Sequence, residues 1–343
     1  MEFGISIPTC REGMDIAPGT VTPDDIIRLA KAAEDCGFDS AWGVDHITPS
    51  NRIRNLYNIV PNFYEVITTL TYCAAITKRI KIATGVIVMP LREPILLAKQ
   101  FSTLDVLSGG RVIIGLGLGN NREEFQMLYP RRVNWHRGKM LDESLEIFNS
   151  LLNNKVSTFD GVYFGFSDVV LKPKPIQKPF PIYLSGRSPK TIQRAARFGT
   201  GLLVYSPTPE ILREQIVKLE DAANNEKRKI KEFDIVVSTT LSLSKTKEDA
   251  IRKFQQSFTG KRDGTDRDID AIVKQNLIGT TEDIIDRLGE LEEAGLKHCA
   301  ITGVSSDSID ERINQWELFA SDIIPQFKSR SLASCQDNIS DVE

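Results

Sequence analysis

The sequence predicts an α/β fold, a closed (β/α)8 barrel, and three observations carry that expectation. Short β-branched apolar runs alternate with longer amphipathic runs along the chain, the rhythm of parallel strands joined by crossover helices. Eight strand-like runs occur. The chain has 343 residues, enough for one α/β barrel, since such barrels often exceed about 200 residues as a single unit. An open doubly wound sheet is the other arrangement compatible with the alternation.

Taken in order, the strand runs are FGISIP (3–8), DSAWGV (39–44), IKIATGVIV (80–88), VIIGLGLG (112–119), PIYLSG (181–186), GLLVYS (201–206), DIVVSTTLSL (234–243) and HCAITGV (298–304). The pieces between them read as helices with end signals. In TPDDIIRLAKAAEDCG, Thr22 is placed to cap, Pro23 to occupy the first turn and Gly37 to end the helix. TTEDIIDRLGELEEAGL repeats that grammar with Thr280 or Thr281 and Gly295. Two stretches break the rhythm. Residues 155–179 alternate aromatic and polar side chains around Gly161, which predicts a small hairpin inserted between the fourth helix and the fifth strand. Residues 259–278 are charged at first and predict a mobile loop before the helix that leads to the eighth strand. The polar segment 328–343 has no hydrophobic period and predicts a disordered tail beyond a barrel domain of 1–327.

With 43 Lys+Arg against 46 Asp+Glu the net charge is −3, so no electrostatic footprint for nucleic acid or an anionic membrane exists, and the expected partner is a small molecule. No apolar run approaches the roughly 20 residues of a membrane span, and the first residues lack a basic export signal. Cys10, Cys36, Cys73, Cys299 and Cys335 are scattered and without CxxC spacing, which predicts reduced thiols and a cytoplasmic protein. His46, His136 and His298 are the three histidines and none pair at metal-ligand spacing. No G-x-S-x-G elbow is present, which disfavours a serine hydrolase.

Four spots carry chemistry. The run RVIIGLGLGNN (111–121) places Gly115, Gly117 and Gly119 at a strand end. It lacks the G-x-G-x-x-G order of a dinucleotide site and the Gly-Lys-Ser/Thr ending of a phosphate loop. What remains is either a tight turn or backbone pressed against a flat ligand. Thr84 and Gly85 interrupt the third strand, a mark of a bulge or close approach. Asp45 and His46 arrive at the carboxyl end of the second strand, where barrel enzymes keep their sites. In YLSGRSPKT, Gly186 turns the chain and Arg187, Ser188 and Lys190 open a helix. Two cations there are unfavourable unless an anion joins them.

These residues resemble the bacterial luciferase-like superfamily of flavin- and deazaflavin-dependent oxidoreductases. The resemblance covers residues 1–327 through VDHI, IATGVIVMPLREPILLAKQFSTLDVLSGGRVIIGLGLG, NREEF, LKPKPIQKPFPIYLSGRSPKTIQRAARFG and IGTTEDIIDRLGELEEAGL. It implies that the eight strands close. It also implies the branch that uses coenzyme F-420, with flavin mononucleotide (FMN) as the alternative. Carried over from that branch, Asp45 contacts the cofactor and His46 donates a proton or hydrogen-bonds the reacting oxygen. Gly85 and Val86 match a non-prolyl cis peptide behind the ring. Leu118, Gly119 and Asn120 match the loop beside it, and Gly186, Arg187, Ser188, Lys190 and Thr191 match the phosphate-binding turn.

Departures from the family's glucose-6-phosphate dehydrogenases narrow the activity. Asn120 stands where they carry a glutamate acid/base, and Ser50 where they carry a tryptophan. Glu123 and Glu124 follow, Glu124 being expected to face solvent or pair with a helix cation. Arg137 is expected in a salt bridge. Trp42, Trp135 and Phe63 are candidates for pocket or core, with core expected for Trp42. The implied reaction is hydride transfer between coenzyme F-420 and a small organic substrate. An FMN-dependent monooxygenase fed by a separate flavin reductase is the alternative, and a non-catalytic flavin binder is the reading from another class. Dimers are common in the family, which leaves a homodimer open.

Overall fold

A computed structural model describes residues 1–257, 259–260, 268–306 and 308–328. It contains strands β1 (Glu2–Ser6), β2 (Ser40–Gly43), β3 (Lys81–Val88), β4 (Val112–Gly117), β5 (Ser157–Asp160), β6 (Gly165–Val169), β7 (Ile182–Ser185), β8 (Gly201–Tyr205), β9 (Asp234–Leu243), β10 (Leu277–Gly279) and β11 (His298–Val304). Eight of them run parallel in the cyclic order β1-β2-β3-β4-β7-β8-β9-β11, and β11 pairs back onto β1, so the sheet closes. These are the eight predicted runs. The fold is the (β/α)8 barrel and not the open sheet.

Hydroxyl-bearing caps start six of the surrounding helices, Thr22 and Thr280 among them as the sequence places them. Thr22, Ser188, Thr208, Thr246, Thr280 and Ser308 each accept a hydrogen bond from the amide three residues on, satisfying a donor that the helix start would leave unpaired. Inside the barrel, Trp42, Ala83, Ile113, Tyr183, Leu203, Val236 and Ala300 form one buried apolar cluster, one residue from each of seven strands. On β1 the corresponding place belongs to Gly4, because Trp42's indole fills the space a β-carbon would need. The lumen is therefore packed solid. Any ligand must bind at a mouth.

The predicted insertion is an antiparallel hairpin of β5 and β6. Residues 259–278 depart from the expected loop. Ile269–Gln275 is helical and Leu277–Gly279 forms β10. The reason is the length of β9, whose first half pairs with β8 while Leu241–Leu243 extend past it and take β10 as partner. Apolar Ile269, Ile272 and Val273 pack on Phe254 and Ile278 behind that edge, a signal hidden by the charged residues that precede them. Residues 261–267 lie outside the described residues. The predicted tail lies there too from residue 329, whereas Lys328 is held by the Gly37 carbonyl and Asp39 at 3.1 Å each.

Candidate active site at the carboxyl end of the barrel

The answer to the glycine run lies in the neighbouring strand. The Gly85–Val86 peptide is cis, and three steps along β3, Thr84 to Ile87, pair against two along β4, Ile114 to Leu116. That bulge breaks the ladder. Thr84 repairs it, its hydroxyl donating to the Gly115 carbonyl at 3.1 Å and accepting the Gly115 amide at 3.0 Å. The glycines of β4 make room for what bulges out. A β-carbon on Gly115 would overlap the Thr84 carbonyl oxygen, one on Gly117 would sit 2.9 Å from Val86 Cγ2, and one on Gly119 would sit 2.6 Å from Val88 Cγ1. Gly119 also has φ +67°, a conformation that favours glycine. Tyr205 at the end of β8 donates to the Gly85 carbonyl at 3.0 Å.

Asp45 and His46 leave β2 beside this bulge. Asp45 is buried, and its carboxylate accepts from the Val88 amide at 3.0 Å and pairs with Arg92, which also pairs with Glu65 at 2.9 Å. Burial raises the Asp45 pKa, with Arg92 and the Val88 amide working against that rise. Both Asp45 oxygens thus serve the chain itself. His46 lies 5.8 Å from Phe63 between ring centroids, its carbonyl accepts from the Cys10 thiol at 3.4 Å, and its Nδ1 meets Glu124 Oε2 at 2.8 Å. Nε2 has no hydrogen-bond partner among the described residues.

Glu124 corrects an expectation. It does not face solvent or a helix cation: it is 1 % exposed, and its second oxygen accepts the Ile47 amide at 2.6 Å and the Thr48 amide at 3.3 Å. It sits in the first turn of helix Arg122–Leu128, capped by Asn121, and that turn rises from β4 toward the loop leaving β2. A glutamate five positions after Gly119, the last glycine of the run, could have been read as reaching across the rim. Glu123 instead meets Asn51 at the exposed start of helix Asn51–Leu56. Glu12, Arg92 and Glu65 were also not singled out. Buried Glu12 accepts the amides of Gly19, Val21 and Asn62 and so folds the loop after β1 over the mouth.

The other half of the mouth lies between the ends of β4 and β7. Gly186, with φ +130°, turns the chain, and Ser188 caps helix Pro189–Phe198 while its hydroxyl lies 3.0 Å from that of Thr191. Arg194 of that helix is buried, pairing with Asp142 at 2.6 Å and donating to the Gly138 carbonyl at 2.9 Å, which locks the turn against helix Arg137–Asn153. A cavity of about 560 Å³ opens here, lined by Leu118, Arg122, Trp135, Arg137, Ser188 and Lys190 among others. Contrary to expectation, Arg137 makes no salt bridge among the described residues: it donates to the Gly119 carbonyl at 3.3 Å, and burial with Arg122 beside it lowers its pKa. Arg122, Arg137, Arg187 and Lys190 have no carboxylate partner among the described residues. Asn120 is exposed on the same rim, and Trp42 is core.

Among the described residues no cluster of three His, Cys, Asp or Glu could hold a metal, and no helix is long and apolar enough to cross a membrane. Polar and cationic groups gathered at the carboxyl ends of a solid barrel's strands define the enzyme class of (β/α)8 folds. Residues 1–298 match the family model described as luciferase-like monooxygenase, and the chain belongs to that family of flavin- and deazaflavin-dependent oxidoreductases. The chain is similar to a 5,10-methylenetetrahydromethanopterin reductase of Archaeoglobus fulgidus, 28 % identical over 87 % of this chain and 94 % of that one. It is 24 % identical to an F420-dependent glucose-6-phosphate dehydrogenase of Amycolatopsis mediterranei, over 90 % and 95 %. It is also 24 % identical to the oxygenase component of a flavin-dependent trigonelline monooxygenase of Acinetobacter baylyi, over 89 % of each. Among solved structures, an F420-dependent secondary alcohol dehydrogenase superposes with a TM-score of 0.77 at 23 % identity, over 94 % of this chain and 98 % of that one.

Proposed function

We propose that the protein transfers a hydride between coenzyme F-420 and a small organic substrate, with His46 moving the accompanying proton. The observation that carries this reading is His46 itself, fixed through Nδ1 and unpartnered at Nε2, beside the Gly85–Val86 bulge at the barrel mouth. The donor set fits such a cofactor. Four cations without carboxylates face the rim where Gly186 and the Ser188 cap leave backbone amides for an anion. In this reading Gly186, Arg187, Ser188, Lys190 and Thr191 hold the phosphate, while Gly85, Val86, Leu118, Gly119 and Asn120 flank the ring. Asp45 contributes through the Val88 amide that it holds.

When bound, the deazaflavin supplies the carbon that gives or takes the hydride. The chain's own part is orientation and the proton. A neutral imidazole can accept a proton from an alcohol, and its imidazolium can donate one to a carbonyl oxygen. Asn120 cannot exchange a proton, so sugar-phosphate oxidation by a carboxylic acid at that position is not part of the proposal.

The test is a parallel titration of the cofactor-free protein with coenzyme F-420 and FMN, followed by fluorescence and thermal shift. Micromolar binding of the deazaflavin alone is the expected result. Preference for FMN would support a monooxygenase supplied by a separate reductase, a reading favoured by similarity to the trigonelline oxygenase component. Retention of either without turnover in both redox states would leave a binding protein.

A further inference from the structure

Glu124 spends its carboxylate in a way that a merely structural residue has no need to. One oxygen takes two consecutive amides, Ile47 at 2.6 Å and Thr48 at 3.3 Å, and so fixes the chain directly after His46. The other meets Nδ1 of the His46 ring at 2.8 Å. At 1 % exposure the carboxylate lies away from water, while the histidine side chain keeps 16 % exposure. Beside the pair, among the described residues, stand Asp45, already paired with Arg92, and the Cys10 thiol, which donates to the His46 carbonyl.

An ionised carboxylate only accepts hydrogen bonds. The Ile47 and Thr48 amides both donate to one oxygen, and with Glu124 as the carboxylate the other oxygen can only accept, which puts the hydrogen of this contact on Nδ1. The partner on one ring nitrogen decides which tautomer a neutral imidazole adopts. We propose that Glu124 is the positioning residue of the site, fixing neutral His46 as the Nδ1–H tautomer so that the lone pair lies on Nε2. This assigns the direction of proton traffic: Nε2 accepts from a substrate hydroxyl, and the imidazolium that forms remains paired with Glu124 at Nδ1. In the reverse direction the same imidazolium donates from Nε2 to a carbonyl oxygen and returns to the Nδ1–H form. The inference rests on His46 being the proton-transfer residue of the proposed function.

The measurement is the ring-nitrogen NMR spectrum of the cofactor-free protein with labelled histidine, recorded at a pH high enough that the ring signals no longer move. Only three histidines occur, so His46→Asn assigns the signal by subtraction. The expected wild-type result is a protonated Nδ1 and an unprotonated Nε2. In Glu124→Gln the amide oxygen can keep the Ile47 amide while its NH₂ faces the ring, so the tautomer should invert to Nε2–H. Turnover should then fall about a hundredfold, in kcat with little change in cofactor affinity, the order expected of a displaced general base. Glu124→Asp should recover part of it.

A wild-type Nε2–H tautomer, or a Glu124→Gln spectrum unchanged from wild type, overturns the proposal. If Glu124→Gln does not fold, the wild-type spectrum alone decides. Failure of the functional reading looks different: the expected tautomer with no binding of F-420 removes the activity and leaves the dyad, whereas F-420 turnover with the wrong tautomer removes the dyad and leaves the activity.

Discussion

His298 opens β11 at the amino end of the barrel. It is 2 % exposed, its Nε2 lies 2.8 Å from the Ser40 hydroxyl, which also accepts the Trp42 indole N–H at 2.7 Å, and its ring stands edge-on to Trp42 at 5.5 Å. Burial, aided by the Lys81 ammonium, lowers its pKa from 6.5 to about 4. The folded protein therefore holds a neutral imidazole where the unfolded chain takes up a proton. Stability attributable to His298 is complete above the unfolded value and is lost as pH falls from 6.5 toward 4. At about 1.4 kcal/mol per unit the whole shift corresponds to roughly 3.5 kcal/mol, of which about 2 is gone by pH 5.

Other groups titrate in the same window, so the assay is a difference. Urea denaturation of wild type and His298→Gln at pH 7.5 and pH 5 should show wild type losing about 2 kcal/mol more than the variant across that interval. Proton NMR should place the His298 midpoint near 4. A midpoint close to 6.5, or identical pH dependence in the two proteins, would refute the reasoning.

Four further outcomes follow from the geometry. Gly117→Val should destabilise by about 3 kcal/mol, because side-chain atoms would be driven into Val86 where even a β-carbon sits at 2.9 Å. Gly289→Ala, in the helix Thr281–Glu293 with nothing within 4 Å of the added carbon, should stabilise by roughly 0.5–1 kcal/mol; thermal melts of the pair check both. Arg92→Leu strips the buried Asp45 carboxylate of its partner and should cost about 3–5 kcal/mol at pH 7.5, less at pH 5 where protonation removes the unpaired charge. Arg187→Ala and Lys190→Ala, on exposed cations, should each weaken binding of the phosphate-bearing cofactor about tenfold in the fluorescence titration while leaving the melting temperature unchanged.

The barrel was legible because its signals are local and repeated. A β-branched run declares a strand and a Ser or Thr cap declares a helix, but eight such strands fit an open sheet as well, and it is the family resemblance that implies closure. What escaped was set by distant partners. Glu124 looks like any glutamate in a helix's first turn until β2 and β4 are known to bring their exits together, and then it turns inward to His46. Arg137 was read by its charge, but what it meets is the carbonyl of Gly119, a group every residue carries. β10 escaped for a related reason: its three residues exist as a strand only because β9 outruns β8.

The three β4 glycines have a consequence for how this barrel can change. Gly115, Gly117 and Gly119 are shaped as the mould for Thr84, Val86 and Val88, so the two strands are heritable as one unit. Grafting β3 alone into a barrel whose fourth strand bears side chains at those places would jam, and grafting β4 alone would leave a furrow. Moved together from Lys81 to Gly119, they form a cassette whose fit is internal. Library shuffling with crossovers placed on either side of that span should return folded chimeras far more often than crossovers between the two strands.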